Sequence, residues 1–158
     1  MSSEELFRVL HFLALFYMMF GLGGVIVPLY RGYRTEDLAR KAQSFDDALS
    51  AHQTALLPGA IFAGVTGVIL AGDLGLNIIT TGWLVTLEAI YLVVLLICIP
   101  LLATGLRKVH LEALKAAKEG RMTPGLEEAL RDNVALVFSL AIVFAIVPMV
   151  YLAVFRPY

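Results

Sequence analysis

The sequence predicts an all-α integral membrane protein, an up-down four-helix bundle whose spans carry helical extensions into the cytoplasm. Three observations predict it. Of the 158 residues, 59% are hydrophobic and only 16% charged, with a mean hydropathy of +0.84. A soluble domain carries about 25% charged residues, and one of this size still exposes roughly a third of its unfolded surface, so the apolar excess must face lipid. Four apolar runs each approach the ~20 residues that cross a bilayer as helix. Lysine and arginine concentrate in two of the segments between those runs. The same composition excludes a disordered chain. A net charge of −1 without a basic tail gives no footing for nucleic acid. The single cysteine, Cys98, excludes an internal disulfide framework and a cysteine-based zinc site.

The whole chain, 1–158, forms one membrane domain. Its first span covers about 6–30, with Arg8 and His11 as its charged or basic groups. The second, about 56–72, is the shortest. The third, about 83–106, holds Glu88, and the fourth, about 134–155, holds no charge. Ten of the twelve lysines and arginines fall in loops 31–55 and 107–133, which places both loops in the cytoplasm. Both termini and the 72–82 turn are then external, in a bacterial cytoplasmic membrane. The acidic N-terminus lacks a basic n-region and its apolar run is too long for a signal peptide, so it is expected to remain as an anchor.

The cytoplasmic loops carry helix signals of their own. Thr35 with Glu36 and Asp37 is expected to cap a helix running toward the second span. The strong helix formers of 110–118 are stopped by Gly120. Thr123-Pro124 starts a further helix, cap then proline. These charged stretches form either a solvated helical collar or a docking surface. Prolines 28, 58, 100 and 148 lie in or beside the spans and are expected to kink them.

The second span repeats a small residue every four positions: Gly59, Ala63, Gly67 and Ala71. Small residues let helix backbones approach closely in lipid. The ridge either seats this helix against a neighbour or leaves space for a flat ligand.

Ionisable groups inside spans cost about 2.5–3.5 kcal/mol on insertion scales, which makes Arg8, His11 and Glu88 the candidate functional groups. Glu88 lies five residues beyond Trp83, which is expected at the external interface. Met149 and Tyr151 reach the same depth in the fourth span, as does Thr66 in the second. Arg8 and His11, three apart, share a helix face. A basic pair, a carboxylate and the Tyr151 phenol can therefore converge near the external face. They either cancel charge and fix the register of the bundle, or serve a cofactor. His11 would then be an axial ligand of haem iron with Met149 as its second, or would relay protons with Glu88 to a quinone. His52 and His110 are expected at the cytoplasmic boundary, and Cys98 as an inert apolar residue.

No phosphate-binding glycine loop, nucleophile elbow or zinc-protease signature occurs. The stretch Phe7-Arg-Val-Leu-His11, Gly21-Leu-Gly-Gly24, then Pro28 and Arg31, resembles two related groups. One is the four-helix bacterial membrane family of domain of unknown function 2269. The other is the HemJ-type protoporphyrinogen oxidase with its copper-resistance CopD relatives. Pro58-Gly59, Gly67 and Thr81-Gly82-Trp83 extend the resemblance over about the first 90 residues. It implies haem ligation at the first-helix histidine, here His11. The HemJ-type lysine after the third-helix tryptophan has no counterpart: Thr86-Leu87-Glu88 follows Trp83.

The expected function is a non-catalytic accessory or assembly subunit of a larger membrane complex, embedded in the bilayer and paired with copies of itself or with other membrane subunits. The alternative is a haem b-binding redox protein built on His11.

Overall fold

The computed structural model describes residues 2–157. It places helices at α1 (Ser3–Arg34), α2 (Leu38–Ala51), α3 (Leu57–Asp73), α4 (Gly82–Val93), α5 (Ile99–Glu119), α6 (Pro124–Asp132) and α7 (Val134–Phe155). Two π-helical turns, His52–Leu56 and Val94–Cys98, join α2 to α3 and α4 to α5 without a break. The result is four rods, Ser3–Arg34, Leu38–Asp73, Gly82–Glu119 and Pro124–Phe155, each long and apolar enough to cross a membrane.

The prolines explain the π-turns. A proline offers no amide and its ring crowds the carbonyl four residues back. Pro58 and Pro100 each follow a π-turn by two positions, and the ladder widens there to accommodate the ring. An amide at position 58 would have bonded the carbonyl of Thr54 in α-helical register; Tyr17 Oη donates to it instead, at 2.7 Å. The expected kinks at these two prolines are therefore resolved as π-turns, while Pro28 and Pro148 sit inside α-helix.

Helix ends follow local chemistry. Ser2 and Glu5 form a reciprocal capping box that opens α1. Thr35 does not cap α2 as expected: it is the C-cap of α1, its amide bonded to Arg31 O at 3.0 Å. Asp37 caps α2 in its place, accepting from the amides of Ala39 and Arg40. A carboxylate two residues closer to the first turn out-competes the hydroxyl because it is charged and faces the free amides. Gly120 ends α5 at φ 67, and Thr123 Oγ1 accepts from Leu126 N at 3.2 Å to open α6. Asn133, at φ 52, bends the fourth rod between α6 and α7, a left-handed conformation that asparagine tolerates.

The main interfaces are α1 with α3, α1 with α2, α2 with α5, α5 with α7 and α4 with α7; α3 and α4 are not packed along each other. The core runs unbroken from the apolar spans into the charged extensions. Leu22, Val25, Leu56, Ile99, Leu102 and Ile142 fill the bundle, and Phe45, Val109, Ala113 and Leu126 continue it among α2, α5 and α6. Backbones touch where glycine permits. A methyl on Gly21 would lie 2.3 Å from Leu56 N, and one on Gly105 would lie 2.7 Å from Ala135 N. Phe16 and Phe20, four residues apart, point outward from α1 where lipid would lie.

Candidate functional site: a cleft between α3 and α4

The N-terminus, the 74–81 connection and the C-terminal end meet at one end of the molecule. Ser3 Oγ donates to Asp73 Oδ2 at 2.7 Å, and the Arg156 guanidinium stacks over Trp83 at 5.4 Å. Trp83 is buried there, against Ala71, Leu84 and Leu152, rather than standing free as an interfacial aromatic. Because α3 leans on α1 and α4 leans on α7, the two helices part below this cap. They enclose an open cleft of about 1040 Å³.

Its walls are apolar, chiefly Ile61, Val65, Val68 and Ile69 of α3 and Leu84, Leu87 and Leu92 of α4. Arg8, His11, Glu88, Tyr91 and Arg156 supply the polar lining. Tyr91 crosses at one side, its hydroxyl donating to Ala60 O at 2.8 Å. Gly64 lies beneath that phenol, and a methyl there would meet the oxygen at 2.1 Å.

The imidazole of His11 has a defined role. Thr66 Oγ1 donates its hydroxyl hydrogen to Phe62 O at 2.6 Å, so toward His11 Nδ1, at 3.1 Å, it can only accept. His11 therefore carries its proton on Nδ1 and keeps the lone pair on Nε2. Gly67 makes room for the ring: a methyl there would lie 3.1 Å from Cε1.

Arg8, His11 and Glu88 do line one cleft, but they form no mutual charge pair. Arg8 is ion-paired to Glu4, one turn away on its own helix. That pairing is local in sequence and exposed, which makes it cheaper than reaching across the bundle. Glu88 is half-buried, and its carboxylate makes no hydrogen bond or ion pair among the described residues. Tyr151 is not part of the cluster: it is 52% exposed on the outer face of α7, tilted against Phe155. Met149, on the same helix, does not line the cleft either. The rotation of α7 explains both, because its packing on α4 is made through other residues, Leu152 among them. Tyr91 and Arg156 are the contributors that the sequence reading did not single out. Tyr91 could have been found as the residue one turn beyond Glu88 on the same face.

The small-residue ridge is divided: Gly59 and Ala63 pack against protein, while Gly67 and Ala71 also line the cleft. A methyl on Gly59 would strike Met18 N at 2.6 Å, Gly67 seats His11, and Ala63 and Ala71 are buried. Close backbone approach is what the packing shows at Gly59, whereas Gly67 gives its space to the His11 ring.

The two remaining histidines lie in the other half. His52 is buried in the protein, and its Nε2 donates to Ile99 O at 3.2 Å, tying the first π-turn to the start of α5. His110 Nε2 lies 3.7 Å from Asp46 Oδ1. There α2, the end of α5 and α6 form a collar. Lys108 bridges Glu128 at 3.3 Å and Asp132, and these bonds hold its ammonium above the usual lysine range. Lys41, 3% exposed, donates to Gly32 O at 2.8 Å, satisfying a carbonyl left free at the end of α1. Among the described residues no group of three or more histidine, cysteine, aspartate or glutamate side chains could hold a metal ion.

A family described as "Predicted integral membrane protein (DUF2269)" matches residues 5–157. No curated protein and no solved structure matches the chain significantly, so the likeness to HemJ-type and CopD proteins gains no support there.

Proposed function

The chain belongs to this family of integral membrane proteins, and from that premise we propose that it acts as a non-catalytic accessory or assembly subunit of a larger membrane complex. It would sit in a bacterial cytoplasmic membrane with its collar in the cytoplasm and both termini outside. The collar is the observation that carries this reading. Helix connections in a bundle normally take 2–8 residues, whereas here two connections are drawn out into packed helices whose buried side chains continue the core of the bundle. Ordering those residues costs conformational entropy that bilayer insertion does not demand. Their outer surface also presents Leu111, Leu114 and Met122 among lysines and glutamates, an exposed apolar group suited to a partner chain. The partner is another membrane subunit or a second copy.

The test is the mass of the assembly released from native membranes in mild detergent. The expected result is an assembly heavier than one chain that falls to the single chain in Leu114→Arg, with helicity and thermal midpoint unchanged. A single chain in the unaltered protein would contradict the reading.

A second reading, haem b on His11, draws on one observation: the proton on Nδ1 leaves Nε2 free to ligate iron. Haem would supply one-electron chemistry when bound. Met149 lies outside the cleft, so His11 is the residue that would hold the iron. A reduced-minus-oxidised visible spectrum of protein from haem-sufficient cells tests it. A Soret band lost in His11→Ala supports this reading, and a colourless protein removes it.

A further inference from the structure

We propose that the cleft between α3 and α4 binds a quinol, a dihydroxylated aromatic head on an isoprenoid tail drawn from the bilayer. The hydrogen-bonding character of the lining points to this ligand, a role beyond that of an accessory subunit. An apolar cavity with a few convergent polar groups is where a ligand is expected, and the polar groups decide which. Of the two cations at the cleft, Arg8 is ion-paired to Glu4 and Arg156 is held over the face of Trp83. The Tyr91 hydroxyl is committed to Ala60 O. Two groups of the cleft offer an acceptor with no protein partner among the described residues: His11 Nε2, with its proton held on the opposite nitrogen by Thr66, and an oxygen of the Glu88 carboxyl group. Two acceptors facing an apolar space call for a ligand with two O–H donors. They do not call for a phosphate, whose oxygens they would repel.

The rest of the ligand fits as well. Val65 and Leu92 line the cleft and are each about half exposed, and the cleft is open rather than enclosed, so a hydrocarbon tail has a way out into lipid. A cleft of about 1040 Å³ lies just above the ~300–1,000 Å³ that small-ligand sites occupy, which leaves room for part of the tail beside the head. The proposal uses Nε2 as an acceptor, so it and haem ligation exclude each other at that atom, and the visible spectrum separates them.

The experiment adds a quinol carrying one isoprene unit, kept reduced under argon, to the full chain in mild detergent and follows the thermal midpoint against concentration. The same titration is run with the oxidised quinone, which has no O–H donor, and with phosphatidylglycerol. The expected result is a saturable rise with quinol at a concentration at least tenfold lower than with quinone, and no saturable rise with phosphatidylglycerol. Glu88→Leu is expected to raise the quinol concentration needed by about tenfold or more. Val65→Trp, a change at a half-exposed position that leaves the packing of α1 on α3 untouched, is expected to abolish the effect by filling the cleft. Equal response to quinol and quinone, a response to phosphatidylglycerol alone, or an unchanged response in Val65→Trp would each overturn the proposal.

Discussion

At the residue scale, two glycines of α1 make opposite predictions from the same chemistry. Gly21→Ala drives a methyl into the backbone of Leu56, which cannot rotate away, and is expected to cost about 1–3 kcal/mol or more. Gly23→Ala meets nothing within 4 Å and is expected to be neutral or to stabilise by up to about 1 kcal/mol. Unfolding titrations in mixed micelles measure both. Lys41 makes a prediction about pH. It lies in the collar, outside the spans, and burial holds its ammonium below the usual lysine range. The folded state therefore penalises the charged form, and that penalty is lifted as pH rises through the depressed value toward about 10.4. The stability of the protein relative to Lys41→Met is expected to rise over that window; a difference independent of pH would contradict it. Of the candidate site residues, His11 and Glu88 were legible in the sequence because ionisable groups inside apolar spans are conspicuous. Their lack of a mutual pair was not, because depth along four helices says nothing about rotation. Tyr151 and Met149 share the depth of the cleft, yet α7 directs the phenol outward and leaves the thioether off the cleft lining.

At the element scale, the cap signals carried most of the information. Gly120 and Thr123-Pro124 fall where the sequence places them, since each satisfies a specific free carbonyl or amide. The exchange of roles between Thr35 and Asp37 was not legible, because two adjacent capping residues can each open the same helix. The π-turns were hidden for a different reason: proline marks a break without saying how the ladder absorbs it. Tyr17 tests that account. Tyr17→Phe leaves the Thr54 carbonyl without its donor and is expected to destabilise the protein by about 1–3 kcal/mol, with the loss concentrated around residues 52–58. Hydrogen exchange localises the change, and protection there equal to the parent's would contradict it.

At the scale of the whole molecule, the four rods divide into two functional ends joined by one core. At one end α2, α5 and α6 build a collar of water-facing charge with Leu111 and Leu114 exposed among it. At the other, the α1–α3 pair and the α4–α7 pair part to leave the cleft below the capped termini. The four spans were legible from hydropathy alone, whereas the cleft arises from which pairs of helices pack, and similar apolar faces do not declare that choice. The proposed function requires the ends to lie on opposite sides of the bilayer, with the collar inside. Sidedness is therefore the measurement to make, using single cysteines at Ile79→Cys and Met122→Cys in a Cys98→Ser background. Both positions are exposed, at opposite ends of the molecule. With an impermeant maleimide on intact cells, the account expects Ile79→Cys to be labelled and Met122→Cys to react only after permeabilisation. Labelling of Met122→Cys in intact cells, with Ile79→Cys protected, would contradict it.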